Sequence, residues 1–138
     1  MSVFRMYVRV VSGTLTPEDI TERLGVRPDE AHAVGSRRRP EHPPRAFTSW
    51  IRHAEAPVPE ARPEDLEPVV LGWGPGFATA LGELAGNGAE VSLVIVQRIE
   101  DIESTAAKGI FLGPRLIEWL SSAHASLDID QYIHHDCP

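Results

Sequence analysis

The sequence almost lacks cysteine, the residue that staples small proteins and supplies thiolates to structural zinc sites. It has one cysteine, Cys137, next to the last of its 138 residues. No internal disulfide framework can form, and a bacterial cytoplasmic protein is expected. Lysine is nearly missing too: 12 of the 13 basic residues are arginine and Lys108 is the exception. That skew fits the codon usage of a GC-rich bacterial genome. No apolar run approaches the roughly 20 residues of a membrane span. Arg5 and Arg9 interrupt the apolar residues of the first strand-like segment, which is unlike a signal peptide. What is present is ordinary: 42 % apolar and 24 % charged residues exclude a disordered chain. Twenty acidic side chains against 13 basic ones give a net charge of −7, which works against binding a nucleic-acid backbone. The length predicts a single domain over 1–138 with a core of its own.

Hydrophobic periodicity sets out the elements. Residues 3–11 alternate, with Phe4, Met6, Val8 and Val10 on one face and Arg5, Tyr7 and Arg9 on the other, as a half-buried strand does. Thr16-Pro17-Glu18-Asp19 is a helix start and Gly25 a helix stop, which predicts a helix over 17–24. The Arg- and Pro-rich stretch of about 29–46 is expected to be a flexible loop, and residues 47–53 a short strand. A helical region opening at Pro63 is expected to be interrupted by Pro68 and by the Gly72–Gly76 stretch, then to resume through Phe77, Leu81 and Leu84. Val91–Val96 is unbroken and apolar, the best candidate for a sheet centre. Residues 110–112 read as a brief extended piece, and Gly113-Pro114 opens a further helix. Residues 127–133 alternate again, and a flexible C-terminal tail of about 134–138 is expected to follow.

This order predicts an α+β fold: two βαβ-like halves forming a mainly antiparallel sheet with helices on one face, a ferredoxin-like-related sandwich. In that arrangement the first and last strands are antiparallel neighbours. Arg5, Tyr7 and Arg9 would then lie beside Asp128, Asp130 and Tyr132, with opposite charges paired across the ladder.

The segment Gly13, Pro17, Glu18, Ile20, Thr21, Leu24, Gly25, Pro28, the strand tryptophan Trp50, and the run Leu127, Asp128, Ile129, Asp130, Tyr132 together resemble the bacterial domain-of-unknown-function family 4279. Gly13 stands one residue closer to Pro17 than the family pattern has it, and the stretch around 72–76 departs most. The resemblance implies no activity, so it assigns no catalytic residue.

Candidate chemistry is thin. Asp128 and Asp130 share a strand face and could both reach one cation, but hard cations usually take more oxygen ligands than two. His134, His135, Asp136 and Cys137 are adjacent on a chain end, with no second Cys/His pair to complete a zinc site. The spacing of Gly72, Gly74 and Gly76 differs from that of a dinucleotide fingerprint. No metal, cofactor or catalytic residue is therefore assigned. Arg37, Arg38, Arg39 and Arg45 form the one basic cluster, a solvated loop or a contact for an acidic partner.

The remaining feature is a surface. Arg5, Tyr7, Arg9, Trp50, Arg52, Asp128, Asp130 and Tyr132 are expected to share one sheet face. Tyr, Trp and Arg are the residue types enriched at interface hot spots. The connector over 54–62 is the candidate to cover that face. The expectation is a non-catalytic protein-binding module of the immunity-protein kind, with a protein partner or a second copy of itself. The alternative is a small-molecule- or metal-binding domain, or an undiscovered enzyme, using Asp128, Asp130 and nearby arginines.

Overall fold

The computed structural model describes residues 2–100, 103 and 108–133. The chain runs β1 (Ser2–Ser12), α1 (Pro17–Leu24), β2 (Glu30–His32), β3 (Thr48–His53), α2 (Pro63–Gly72), α3 (Pro75–Gly86), β4 (Glu90–Ile99), α4 (Pro114–Ser122) and β5 (Ser126–Ile133). The fold is α+β, with four helices and one five-stranded mixed sheet in the order β2-β3-β1-β4-β5.

Strand chemistry accounts for the order. β4 is apolar on both faces, and Leu93, Val94 and Ile95 are completely buried. Such a strand needs a neighbour on each side. β1 supplies one in an antiparallel ladder running from Ser2↔Ile99 to Val11↔Glu90. β5 supplies the other in a parallel ladder from Ser92↔Ser126 to Ile99↔Ile133. The expected antiparallel pairing of first and last strands is therefore not formed: β4 stands between them. The two halves also differ. β1 and β3 pair antiparallel across α1, whereas β4 and β5 pair parallel across α4.

Phe4, Met6, Val8, Val10, Trp50, Leu93 and Ile95 belong to the core with Ile20, Leu66, Val70, Leu81, Leu84 and Leu116 of the helices. Local capping fixes α1. The Thr16 hydroxyl accepts a bond from the Asp19 N–H at 3.1 Å, and the Asp19 carboxylate accepts one from the Thr16 N–H at 3.0 Å. The bond from the Thr16 N–H, and after it the Thr16 hydroxyl beside the carboxylate, hold the Asp19 carboxyl below its ordinary pKa. Gly25 closes the helix in the left-handed region at φ 74°.

α2 continues through Pro68, so that proline does not interrupt it as expected. The break falls at Trp73-Gly74, where Gly74 has φ 93° and α3 restarts at Pro75. The Trp119 indole donates to the Gly74 carbonyl at 3.1 Å, and Trp73, Phe77 and Trp119 cluster with centroids 5.5–6.2 Å apart. The glycines of 72–76 thus turn the chain between two helices. At Gly82 a Cβ would collide with the Ser122 carbonyl oxygen, so glycine permits the close approach of α3 to the end of α4. Residues 110–112 carry no strand.

Candidate interaction surface

The helices pack on the face of the sheet that carries Val8, Val10 and Trp50, and the register assembles the other face. Row by row it reads His53, Tyr7, Val94, Asp128; then Ile51, Arg9, Ser92, Ser126; then Arg5, Val96, Asp130. Arg98 lies beside Tyr132. Val94 and Val96 are buried here outside the main core, flanked by these longer side chains. The basic residues of β1 and the acidic residues of β5 thus form parallel stripes on either side of β4.

Arg9 reaches diagonally over β4 to Asp128, Nη2 to Oδ2 3.9 Å, with both side chains more than a third exposed. An ion pair this long and this wet adds little stability. The Arg9 Nε is buried with no hydrogen-bond partner among the described residues. Tyr7 is half-buried, and its ring meets His53 edge-on at 5.3 Å. Desolvation raises the Tyr7 pKa above its ordinary value, with Arg9 opposing and Asp130 adding to the rise. His53 Nε2 lies 3.0 Å from Glu30 Oε2, and its backbone N–H donates to Asp29 Oδ2 at 2.7 Å. Glu30, His53 and Tyr7 thus touch in succession on this face.

Six of the eight expected face residues come together here: Arg5, Tyr7, Arg9, Asp128, Asp130 and Tyr132. Trp50 and Arg52 do not. The β1–β3 register sets Trp50 opposite Val10 and Arg52 opposite Val8, on the helix side. Trp50 is completely buried and its indole donates to the Thr21 hydroxyl at 3.1 Å. Arg52 donates to the Arg27 carbonyl at 2.9 Å and lies 5.7 Å over the Trp73 ring. The connector does not cover the open face either. Ala54 and Ala61 of that connector are buried in the main core, and Arg62 at its end lies over the core-facing ring of Phe4.

Glu30 was not anticipated, because β2 lies inside the stretch read as loop, and His53 because it falls on the side of β3 opposite to Trp50 and Arg52, which were expected on this face. The basic cluster is braced. The Gly35 N–H donates to the Arg45 carbonyl and the Arg45 N–H to the Ser36 carbonyl, both at 2.8 Å. Arg37 donates to the carbonyls of Pro40 and His42, and Arg45 to the Ser36 hydroxyl. Arg38 and Arg39 remain exposed at its tip. Among the described residues no group of three His, Cys, Asp or Glu is placed to hold a metal ion. His134, His135, Asp136, Cys137 and the expected tail lie outside the described residues. Among the described residues no helix is long and apolar enough to cross a membrane.

Fold and surface define a class: an α+β domain whose mixed sheet is covered by helices on one face and carries a polar, aromatic array on the other. The chain belongs to the family described as a domain of unknown function, DUF4279, whose model matches residues 2–134. Comparisons with curated proteins and with solved structures returned no match.

Proposed function

We propose that the protein is a non-catalytic interaction module of the bacterial cytoplasm that binds a protein partner through its open sheet face. One observation carries this reading: Arg5, Tyr7, Arg9, Asp128, Asp130 and Tyr132 converge on a face that the helices leave uncovered. Tyrosine makes a good anchor because it buries much area for little lost rotamer freedom, and arginine because its guanidinium makes bidentate and ring-stacking contacts. Stripes of opposite charge would steer encounter and fix the orientation of a partner with the reversed pattern. Neutralisation of a partner in the manner of an immunity protein is one form such binding could take.

Photo-crosslinkers at Arg5 and Tyr132, with a control at Glu83 on α3, test the reading in cells that make the protein. The expected result is a partner captured from the two face positions only, whose binding to the purified protein is lost in an Arg5→Glu, Arg9→Glu double variant. Capture from Glu83 alone, or unchanged binding of the double variant, would overturn it. A small molecule that raises the melting temperature of the native protein but not of that variant would favour the ligand-binding alternative instead.

A further inference from the structure

The sheet has two edges, and they are built differently. β2 is three residues long, Glu30–His32, too short to template another strand. β5 runs eight residues from Ser126 to Ile133 with no proline and no glycine, and among the described residues no strand pairs with its outer side. It also presents more apolar surface than an edge strand usually carries. Leu127, Ile129 and Ile133 are 43 %, 41 % and 46 % exposed on the helix side, with Ile117 of α4 at 55 %. On the opposite side of the same strand Asp128 and Asp130 are spaced two apart, and Asp130 has no ion-pair partner among the described residues. Together these give an open ladder with one apolar and one anionic margin.

We propose that β5 is a docking edge for an extended, basic peptide segment that joins the sheet as a sixth strand. Such a segment would alternate, with arginine or lysine on one side and aliphatic residues on the other. Its backbone would satisfy the outer N–H and C=O groups of β5, its cations would lie opposite Asp128 and Asp130, and its aliphatic side chains would cover Leu127 and Ile129. Charge disfavours the two central registers in which a second copy of this chain would occupy the edge. Two-fold antiparallel pairing of β5 about Ile129 sets Asp128 opposite Asp130 twice, and pairing about Asp130 sets that residue against itself; like charges directly opposite destabilise a ladder. The proposal goes beyond the open-face reading and shares with it the β5 residues Asp128, Asp130 and Tyr132.

The probe is an alternating Lys-Val peptide as long as β5, titrated into the full chain and followed by backbone amide shifts. Two forms carry N-methyl groups on alternate residues, one on each set. Saturable binding is expected, with shifts confined to residues 126–133 and their neighbours on β4. One N-methylated form should bind like the parent and the other should not, because only alternate N–H groups of an edge strand face the sheet. An alternating Glu-Val peptide should fail to bind. Asp128→Asn with Asp130→Asn should weaken the Lys-Val peptide roughly tenfold, while Arg5→Glu leaves it within about twofold. Equal binding of both N-methylated forms would show adsorption by charge alone and overturn the proposal. So would indifference to the Asn substitutions, or a dimer in native mass spectra that the peptide dissociates. Any of these failures leaves the crosslinking test of the open face untouched, and loss of face binding in Arg5→Glu, Arg9→Glu leaves the edge test standing.

Discussion

The two faces of one sheet share every strand and have opposite chemistry. Towards the helices, alternate positions of β1, β3 and β4 supply Met6, Val8, Val10, Trp50, Leu93 and Ile95, none more than 1 % exposed. The positions between them supply exposed Arg5 and half-buried Tyr7, Arg9, Ile51 and His53, with Val94 buried among them. Pleating alone separates the two sets. The lesson is a division of labour: substitutions on the helix side should cost stability, and substitutions on the open side should change what the protein binds.

The sharpest way to break that division is Trp50→Ala. It empties a fully buried site and strands the Thr21 hydroxyl, and a loss of about 3–5 kcal/mol is expected from urea unfolding. Gln97 sits on the same covered side, completely buried, donating to the Lys108 carbonyl at 3.0 Å and accepting from Gln131 at 2.9 Å. Gln97→Leu should cost about 1–3 kcal/mol, because both of its buried hydrogen bonds are lost. Thr16→Ala should cost about 1 kcal/mol by removing the helix cap.

Asp19, the other half of that cap, adds a pH signature. Its folded pKa is lowered, so its contribution is present above the ordinary carboxylate value and lost as pH falls through the folded one. The stability gap between the native chain and Asp19→Asn should therefore close in acid, as melting curves recorded downwards from neutral pH would show. On the open face the effects should be smallest. Arg9→Gln should change unfolding free energy by less than about 0.5 kcal/mol, and a larger loss would mean the face is part of the core after all. Tyr7 gives that side its own titration. Its raised folded pKa means its contribution is complete below the ordinary phenol value and lost as pH rises through the folded one. The native chain should lose stability faster than Tyr7→Phe in alkali.

The parts legible in the sequence were those governed by short range. The bounds of α1 follow from Thr16, Pro17, Asp19 and Gly25, which act within one turn. The two sides of β1 follow from strict alternation, and the interior place of β4 from its unbroken apolar run, although β1 and not β4 takes the middle of the sheet. Three features were illegible. β2 is three residues within a polar loop and exists because Ala31 can pair with Trp50. The side on which Trp50 lies depends on its register with β1, which nothing within 47–53 specifies. α2 survives Pro68 because the helix is held by its packing, with Leu66 and Val70 buried on either side of the proline.

Short-range pattern was enough to read an α+β chain with half-buried strands, a capped first helix and no second cysteine for a disulfide. Which strands are neighbours, and which face each side chain joins, came from long-range packing. Alternation marks two sides of a strand without saying which strand lies beside it, and ladder pairing is a contact between segments far apart in the chain. That pairing placed β4 between the arginines of β1 and the aspartates of β5, moved Trp50 and Arg52 to the helix side, and left β5 as the long open edge.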